Sequence, residues 1–280
     1  MQKLGFWGKA LVYAIQAVLI VVIFLPLVFA LVSSLRPLED VYRYIRPLVP
    51  ETFWPTDVTF EAYRSIFVDY GFGTAVINSL LIAAATIGLG VMFNAMAGFC
   101  FAKFRFAGKG PLFLLVMVTA MVPFELISIN LYQLIMRFQW VNSYQALILP
   151  SVANGIVIFL FRQFFMDFPN YMLESAMLDG LSWPGIFLRI AMPNAKSISI
   201  SAGLILFLSQ WESFMWPVLV TRTQQMQTVQ VALNSFQTEH AKLWNLIFAA
   251  SIIAFAIPVL IMMPLQRYYV EGIVSSGVKE

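Results

Sequence analysis

The chain has 280 residues, of which 60% are hydrophobic and only 11% charged, with a mean hydropathy of +0.82. A soluble globule of that composition would lack the polar surface to cover its core, so the composition excludes one. The net charge is only +3 and no basic patch is interleaved with aromatic residues, which excludes a nucleic-acid partner.

Six stretches are apolar enough and long enough to cross a hydrocarbon layer that needs about 20 helical residues. They run roughly from 11 to 32, 75 to 100, 111 to 136, 145 to 165, 198 to 220 and 245 to 265. The runs are continuous rather than alternating, so they predict helices, each satisfying its own backbone, and not a barrel. The expected fold class is an all-α polytopic membrane protein, with residues 1–280 forming a single domain of six transmembrane helices bathed in lipid. The first stretch follows Lys3 and Lys9, but it is too long for a signal peptide and no small-x-small cleavage site follows, so it stays as the first span. Lys103, Arg105 and Lys109 crowd the short loop between spans two and three, which predicts that loop to be cytoplasmic. Both termini then lie inside, where Lys3, Lys9, Arg267 and Lys279 agree, and the loops near 33–74, 137–144 and 221–244 lie outside.

In the first span, Pro26 predicts a kink set by packing. The outer loop that follows has prolines at 37, 47, 50 and 55 among mixed charges and aromatic residues, which suits short helices lying on the outer face. Span two is rich in small residues such as Ala83, Ala84, Gly88, Gly90 and Gly98, so close packing predicts it to be interior. Its Asn78 and Asn94 could line a pore, though a bond to a neighbouring helix is the simpler role. Cys100 is the only cysteine, which rules out an internal disulfide and a cysteine-rich metal site and leaves it as an apolar filler.

Span three carries Glu125 and Asn130 in MVPFELISINLYQLI, and span five carries Gln210, Trp211, Glu212 and Trp216 in LSQWESFMWPVL. A carboxylate inside an apolar run is costly, so each faces either a polar cavity or a bonding partner. The two indoles with amide and carboxylate acceptors offer what a polyhydroxyl ligand would use, and bundle packing explains the aromatics equally well. Glu125, Asn130, Gln210, Trp211 and Glu212 are therefore the candidate translocation-path residues. No phosphate loop of the form G-x-x-x-x-G-K-[ST] occurs, and no H-E-x-x-H. The single histidine, His240, sits in an outer loop beside Glu239 and Lys242. No paired broken helices of the kind found in many secondary transporters are expected.

One charged interruption in the second half stands apart: residues 167–193, DFPNYMLESAMLDGLSWPGIFLRIAMP. Asp167 or Asn170 can cap a helix starting near Pro169 and running to about Leu178, with Met172, Leu173, Ala176 and Met177 making an apolar ridge. Asp179-Gly180 ends it through glycine's access to left-handed backbone. A second helix starts after Ser182, with Pro184 in its first turn and Phe187 and Ile190 on one face, and stops by Pro193. Two short helices at a sharp turn, joined directly to a span, form a mechanical handle, or else an interfacial amphipathic loop.

Glu174, Ala176, Asp179, Gly180, Ser182, Phe187, Ile190 and Pro193 fit the pattern E-A-A-x-x-D-G-A-S-x-x-x-x-F-x-x-I-x-L-P, with Ser175, Leu181 and Met192 as departures. In this the chain resembles the permeases of ABC importers, whose cytoplasmic EAA loop has that pattern. Together with LFRQFFMDFPNYMLESAMLDG, WESFMWP and the tail LQRYYVEGIVSSGVKE, it is similar to carbohydrate permeases of the MalG type, although those more often have asparagine where Glu212 stands. The resemblance implies a type I ABC importer permease fold in a bacterial or archaeal cytoplasmic membrane. It implies as partners a second permease subunit, two ATPase subunits and an extracytoplasmic solute-binding protein. It also implies no catalysis and no cofactor on this chain, with ATP and Mg used by the ATPase.

Glu174, Ala176, Met177, Asp179, Gly180 and Ser182 are then the expected ATPase-coupling residues. The loop 221–244 resembles in position one that enters the binding protein, and the tail 266–280, with Gly272, Gly277 and Lys279, one that reaches the ATPase pair. The expected solute is a sugar or oligosaccharide, with glycerol-3-phosphate or another polyol compound as the alternative. A proton-coupled carrier or channel using Glu125 and Glu212 is the competing class.

Overall fold

The computed structural model describes residues 6–45, 49–54, 57–237 and 243–277, without the side chains of Phe6, Ile45 and 267–277. Lys3, Pro47, Pro55, Glu239, His240, Lys242 and Lys279 lie outside the described residues, as do the side chains of Arg267 and the tail. Among the described residues the regular elements are helices, and no strand occurs.

In chain order these are α1 (Phe6–Ser34), α2 (Leu38–Ile45), a 3-10 turn (Pro50–Phe53), α3 (Glu61–Val68) and α4 (Phe72–Lys103). Next come α5 (Lys109–Ala120), α6 (Phe124–Arg137), α7 (Tyr144–Ser151), α8 (Gly155–Asp167) and α9 (Asn170–Leu178). The rest are α10 (Trp183–Asn194), α11 (Lys196–Trp211), α12 (Met215–Val220), a 3-10 turn (Gln224–Met226), α13 (Val229–Ser235) and α14 (Trp244–Gly277).

All six apolar stretches are helical, but only α1, α4 and the first part of α14 are unbroken spans. The expected continuous spans 111–136 and 145–165 are bent pairs, α5 with α6 at 98° and α7 with α8 at 45°, and α10 meets α11 at 83°. Span five is also interrupted, because α11 ends at Trp211 and α12 begins only at Met215. Each break has a local cause. Pro123 has no N–H to give and steers Val122 away from helical backbone. After Pro150, Asn154 turns extended and its side chain accepts the Ile156 and Val157 amides, starting α8 afresh. Pro217 sits in the first turn of α12, where a missing donor costs nothing. Pro26, by contrast, lies within α1 without ending it.

The chain divides into two compact units. Unit 1 comprises residues 1–73 and 232–256. Most of α1 presents its apolar side chains outward, as a helix facing lipid does. Beyond it the expected short helices of the first outer loop are present as α2, the 3-10 turn and α3. Arg36 ties α2 to the 3-10 turn: it is 1% exposed and donates to the carbonyls of Trp54 at 2.7 Å and of Glu51, with its guanidinium 4.9 Å from the Tyr44 ring centre. Burial pushes the Arg36 pKa down, opposed by Tyr44 and Asp40. Ser34 and Tyr63 share a hydroxyl bond of 2.8 Å, and Phe236 packs edge-on against Tyr70 at 5.2 Å.

Unit 2 comprises residues 74–231 and 257–280 and has two apolar clusters. The larger joins α4, α8, α9, α10 and α11 through Phe99, Phe161, Phe165, Ala176, Phe187 and Ala202. The smaller joins α4, α6, α7 and α12 through Ile82, Ile135, Leu147 and Trp216.

Span two packs closely along one face only: its small residues Gly90 and Gly98 meet neighbouring helices, whereas Ala84 and Gly88 are exposed, so the expectation of an interior helix holds for that face alone. A Cβ at Gly98 would stand 2.6 Å from Cβ of Phe161, and one at Gly90 2.7 Å from Cδ1 of Leu206. Its asparagines bond neighbouring elements. Asn94 donates to the carbonyls of Gly90 and Val152 and accepts the Asn154 amide at 2.9 Å, bridging α4 to the break before α8. Asn78 donates to Gln225 and Gln227 and accepts from the Tyr144 hydroxyl.

Candidate functional site

Residues 167–193 form the expected pair of short helices. The N-cap of α9 is Pro169, with no side-chain cap bond, so neither Asp167 nor Asn170 has that role. Lys103 explains this for Asn170, because its Nζ donates to Asn170 Oδ1 at 2.8 Å and to the Phe168 carbonyl at 2.6 Å. The end of α4 is thereby tied to the joint between α8 and α9.

The exit from α9 is a Schellman turn. Gly180 has φ of +82°, its amide donates to the Met177 carbonyl, and the Leu181 amide reaches back to Ala176, both at 3.0 Å. Leu181, where the family pattern has alanine, packs against the larger cluster. Gly185 makes room for it, since a Cβ there would lie 3.1 Å from Leu181 Cδ2. Ser182 holds the N-cap position of α10 without a side-chain bond. Trp183 then packs against Phe104 at 4.6 Å, fixing the start of α10 to the chain beyond α4.

The two faces of α9 differ sharply. Leu173 and Ala176 are buried, so Ala176, among the expected coupling residues, faces this chain's own core. Glu174, Ser175, Met177, Asp179 and Gly180 are exposed, and Leu178 projects with 89% of its surface free. Leu178 is thus an apolar knob flanked by Glu174 and Asp179, on a backbone held from behind by Lys103 and the larger cluster. Leu178 was not among the expected residues, although its position before Asp179-Gly180 puts it at the tip of the turn.

A second feature lies where three helix breaks converge. A cavity of about 470 Å³ is lined by Phe124 and Glu125 from the start of α6 and by Pro150, Ser151, Ala153 and Asn154 from the break between α7 and α8. Residues 209, 210 and 212–216 at the α11–α12 break, with Thr86 and Leu206, complete it. Irregular backbone within an apolar bundle is tolerated where it lines such a cavity.

Glu125, Gln210 and Glu212 are thus brought together from sequence-distant positions. Asn130 is exposed on another face of α6, and Trp211 is buried in a stack with Phe207 at 5.6 Å, so neither lines the cavity. Trp216 does line it, but its indole N–H donates to the Ala146 carbonyl at 2.8 Å and its ring is 3% exposed. The expected paired indole platform is therefore absent. Thr86 and Ser209, which also line the cavity, carried no signal in the sequence beyond being polar residues in apolar runs.

A third, apolar groove of about 760 Å³ runs along α4, α11 and α14, floored by Ala83, Ala84, Gly88 and Gly203. No group of three or more metal-ligating side chains occurs among the described residues.

Residues 89–274 match the model of the family described as "Binding-protein-dependent transport system inner membrane component". The arabinooligosaccharides transport system permease protein AraQ of Halalkalibacterium halodurans is 31% identical over 255 residues, 91% of this chain and 90% of that protein. The sn-glycerol-3-phosphate transport system permease protein UgpE of Yersinia pestis is 32% identical over 208 residues, 73% of this chain and 74% of its own length. A bacterial ABC transporter involved in import of the acidic polysaccharide alginate shares the fold, with a TM-score of 0.81 at 17% identity over 96% of this chain and 99% of that one. With a family match across most of its length and an all-helical, apolar architecture to suit it, the chain belongs to the binding-protein-dependent inner-membrane permeases of ABC transporters.

Proposed function

We propose that this chain forms half of the translocation pathway of an ATP-driven importer of a sugar or oligosaccharide, and that a separate ATPase drives it through the turn at Glu174–Gly180. The observation that carries this reading is the exposed Leu178, 89% free, on a helix whose other face is clamped by Lys103 and the phenylalanine cluster. Closure of an ATPase pair on that knob would load α4 and α8 as well as α11. The loop 103–109 and α9 share one end of unit 2, and the positive charges of Lys103, Arg105 and Lys109 support a cytoplasmic position for that end.

The opposite end, where Asn142 accepts from the Arg222 and Thr223 amides, is then where a solute-binding protein would deliver its load. The small-residue groove along α4 suits a helix of a second permease subunit, because small residues allow close approach where no hydrophobic effect drives association. A carbohydrate solute is supported by the relative named for arabinooligosaccharides, while the relative named for glycerol-3-phosphate supports the alternative of a polyol compound.

Reconstitution tests the assignment. Vesicles holding this chain with its partner permease and ATPase should accumulate an uncharged oligosaccharide only when ATP and loaded binding protein are both supplied. Accumulation against a gradient by this chain without any ATPase would overturn the importer and favour a carrier using Glu125 and Glu212.

A further inference from the structure

The cavity at the helix breaks has a definite charge character. Glu125 and Glu212 both line it, no Lys, Arg or His does, and neither carboxylate makes an ion pair among the described residues. Glu125 lies in the first turn of α6 and Glu212 at the C-cap of α11, so two different helix ends hold them there.

A second, independent observation points to a ligand. Thr86 lines the same cavity and is 1% exposed, yet its hydroxyl has no hydrogen-bond partner. A buried threonine in a helix commonly bonds the carbonyl a turn behind it. Here that outlet is unused, and the group is free for something that enters. Gln210, 7% exposed, lines the cavity as well and donates to the Leu147 carbonyl at 3.2 Å. Carboxylate acceptors, an unused hydroxyl and an amide suit a solute rich in O–H donors.

We infer that this cavity is a charge filter: it admits an uncharged polyhydroxyl solute, bonded by Glu125, Glu212 and Thr86, and repels anionic ones. The inference rests on the importer assignment and sharpens it to one solute class. Shared family and fold do not decide that class, since one relative is named for a phosphate ester and the fold neighbour imports an acidic polysaccharide. The lining residues bear on it, because two like charges in one cleft set the sign of the field that a passing solute meets.

The test reads the field directly and needs no knowledge of the solute. Ser209 lines the cavity and is exposed, and Cys100 is the chain's only cysteine. In the assembled transporter carrying Cys100→Ser and Ser209→Cys, the rates of modification at residue 209 by a trimethylammonium and by a sulfonate methanethiosulfonate are measured by mass spectrometry of this chain. The cationic-to-anionic rate ratio should fall by about tenfold or more when Glu125→Gln and Glu212→Gln are added, within the range by which charged clefts concentrate counter-ions. An unchanged ratio overturns the filter. Ser213→Cys gives the same readout from the half-buried opposite side of the break if Ser209→Cys fails to assemble. Uptake of an uncharged oligosaccharide by the unsubstituted complex reports on the importer separately. A fall in the ratio as expected, with no import by the unsubstituted complex, would retain the filter and remove the importer.

Discussion

At the scale of single residues, the tolerances of this protein are set by how closely backbones approach. Gly98 has the Arg162 amide nitrogen 2.8 Å and Phe161 Cβ 2.6 Å from where a Cβ would stand, and neither atom is the loose end of a side chain. Gly98→Ala should therefore cost about 2 kcal/mol of stability, in the range of overpacked cores. Gly110, with nothing within 4 Å, should accept alanine without loss. Thermal denaturation of the purified chain in detergent checks both, and equal midpoints for the two variants would refute the close contact.

Single residues also show where sequence reasoning stops. Glu125 stood out because a carboxylate in an apolar run demands an explanation. Asn130 was grouped with it, yet five residues on an α-helix turn the side chain by about 140° and so off the cavity. Arg36 gave no signal at all: a charged residue just past a span reads as surface until the carbonyls of Glu51 and Trp54 are found folded back onto it.

At the scale of elements, the breaks and the joints between helices do most to shape the molecule. Asn94 bonds across one of them, giving both amide protons to carbonyls and accepting the Asn154 amide. Asn94→Ala strands the Val152 carbonyl and the Asn154 N–H, and should cost about 2 kcal/mol as buried polar groups lose their partners. Chemical denaturation reads that loss, and a variant as stable as the parent would show the bridge to be dispensable.

The turn between α9 and α10 was legible in the sequence because its signals are local: a proline before α9, Gly180 after it and Ser182 at the next cap. The broken spans were not, because a hydropathy run stays apolar through Pro123, Pro150 and Pro217, and proline alone does not separate a kink from a break. Pro26 and Pro258 lie inside unbroken helices of the same chain. The cavity was hidden further still. Its polar residues come from positions as far apart as Thr86 and Glu212, and only the folded bundle gathers them.

At the scale of the whole molecule, the proposed function would have the turn at Glu174–Gly180 transmit force and the cavity at the helix breaks select by charge. Between them lie α4, α8 and α11, packed through Phe99, Phe161, Phe165 and Leu206 into one apolar cluster. Such interiors are close-packed and pass strain from element to element.

The central claim is that force enters at the exposed knob, and Leu178→Asp tests it most directly. Leu178 is 89% exposed, so the substitution removes an apolar contact that only a partner could make. The quantity to measure is ATP hydrolysis by the assembled transporter, stimulated by loaded binding protein. Stimulated hydrolysis should fall at least tenfold, about 1.4 kcal/mol of lost coupling, with the melting midpoint of the isolated chain unchanged. Full stimulated hydrolysis in the Leu178→Asp transporter would contradict it.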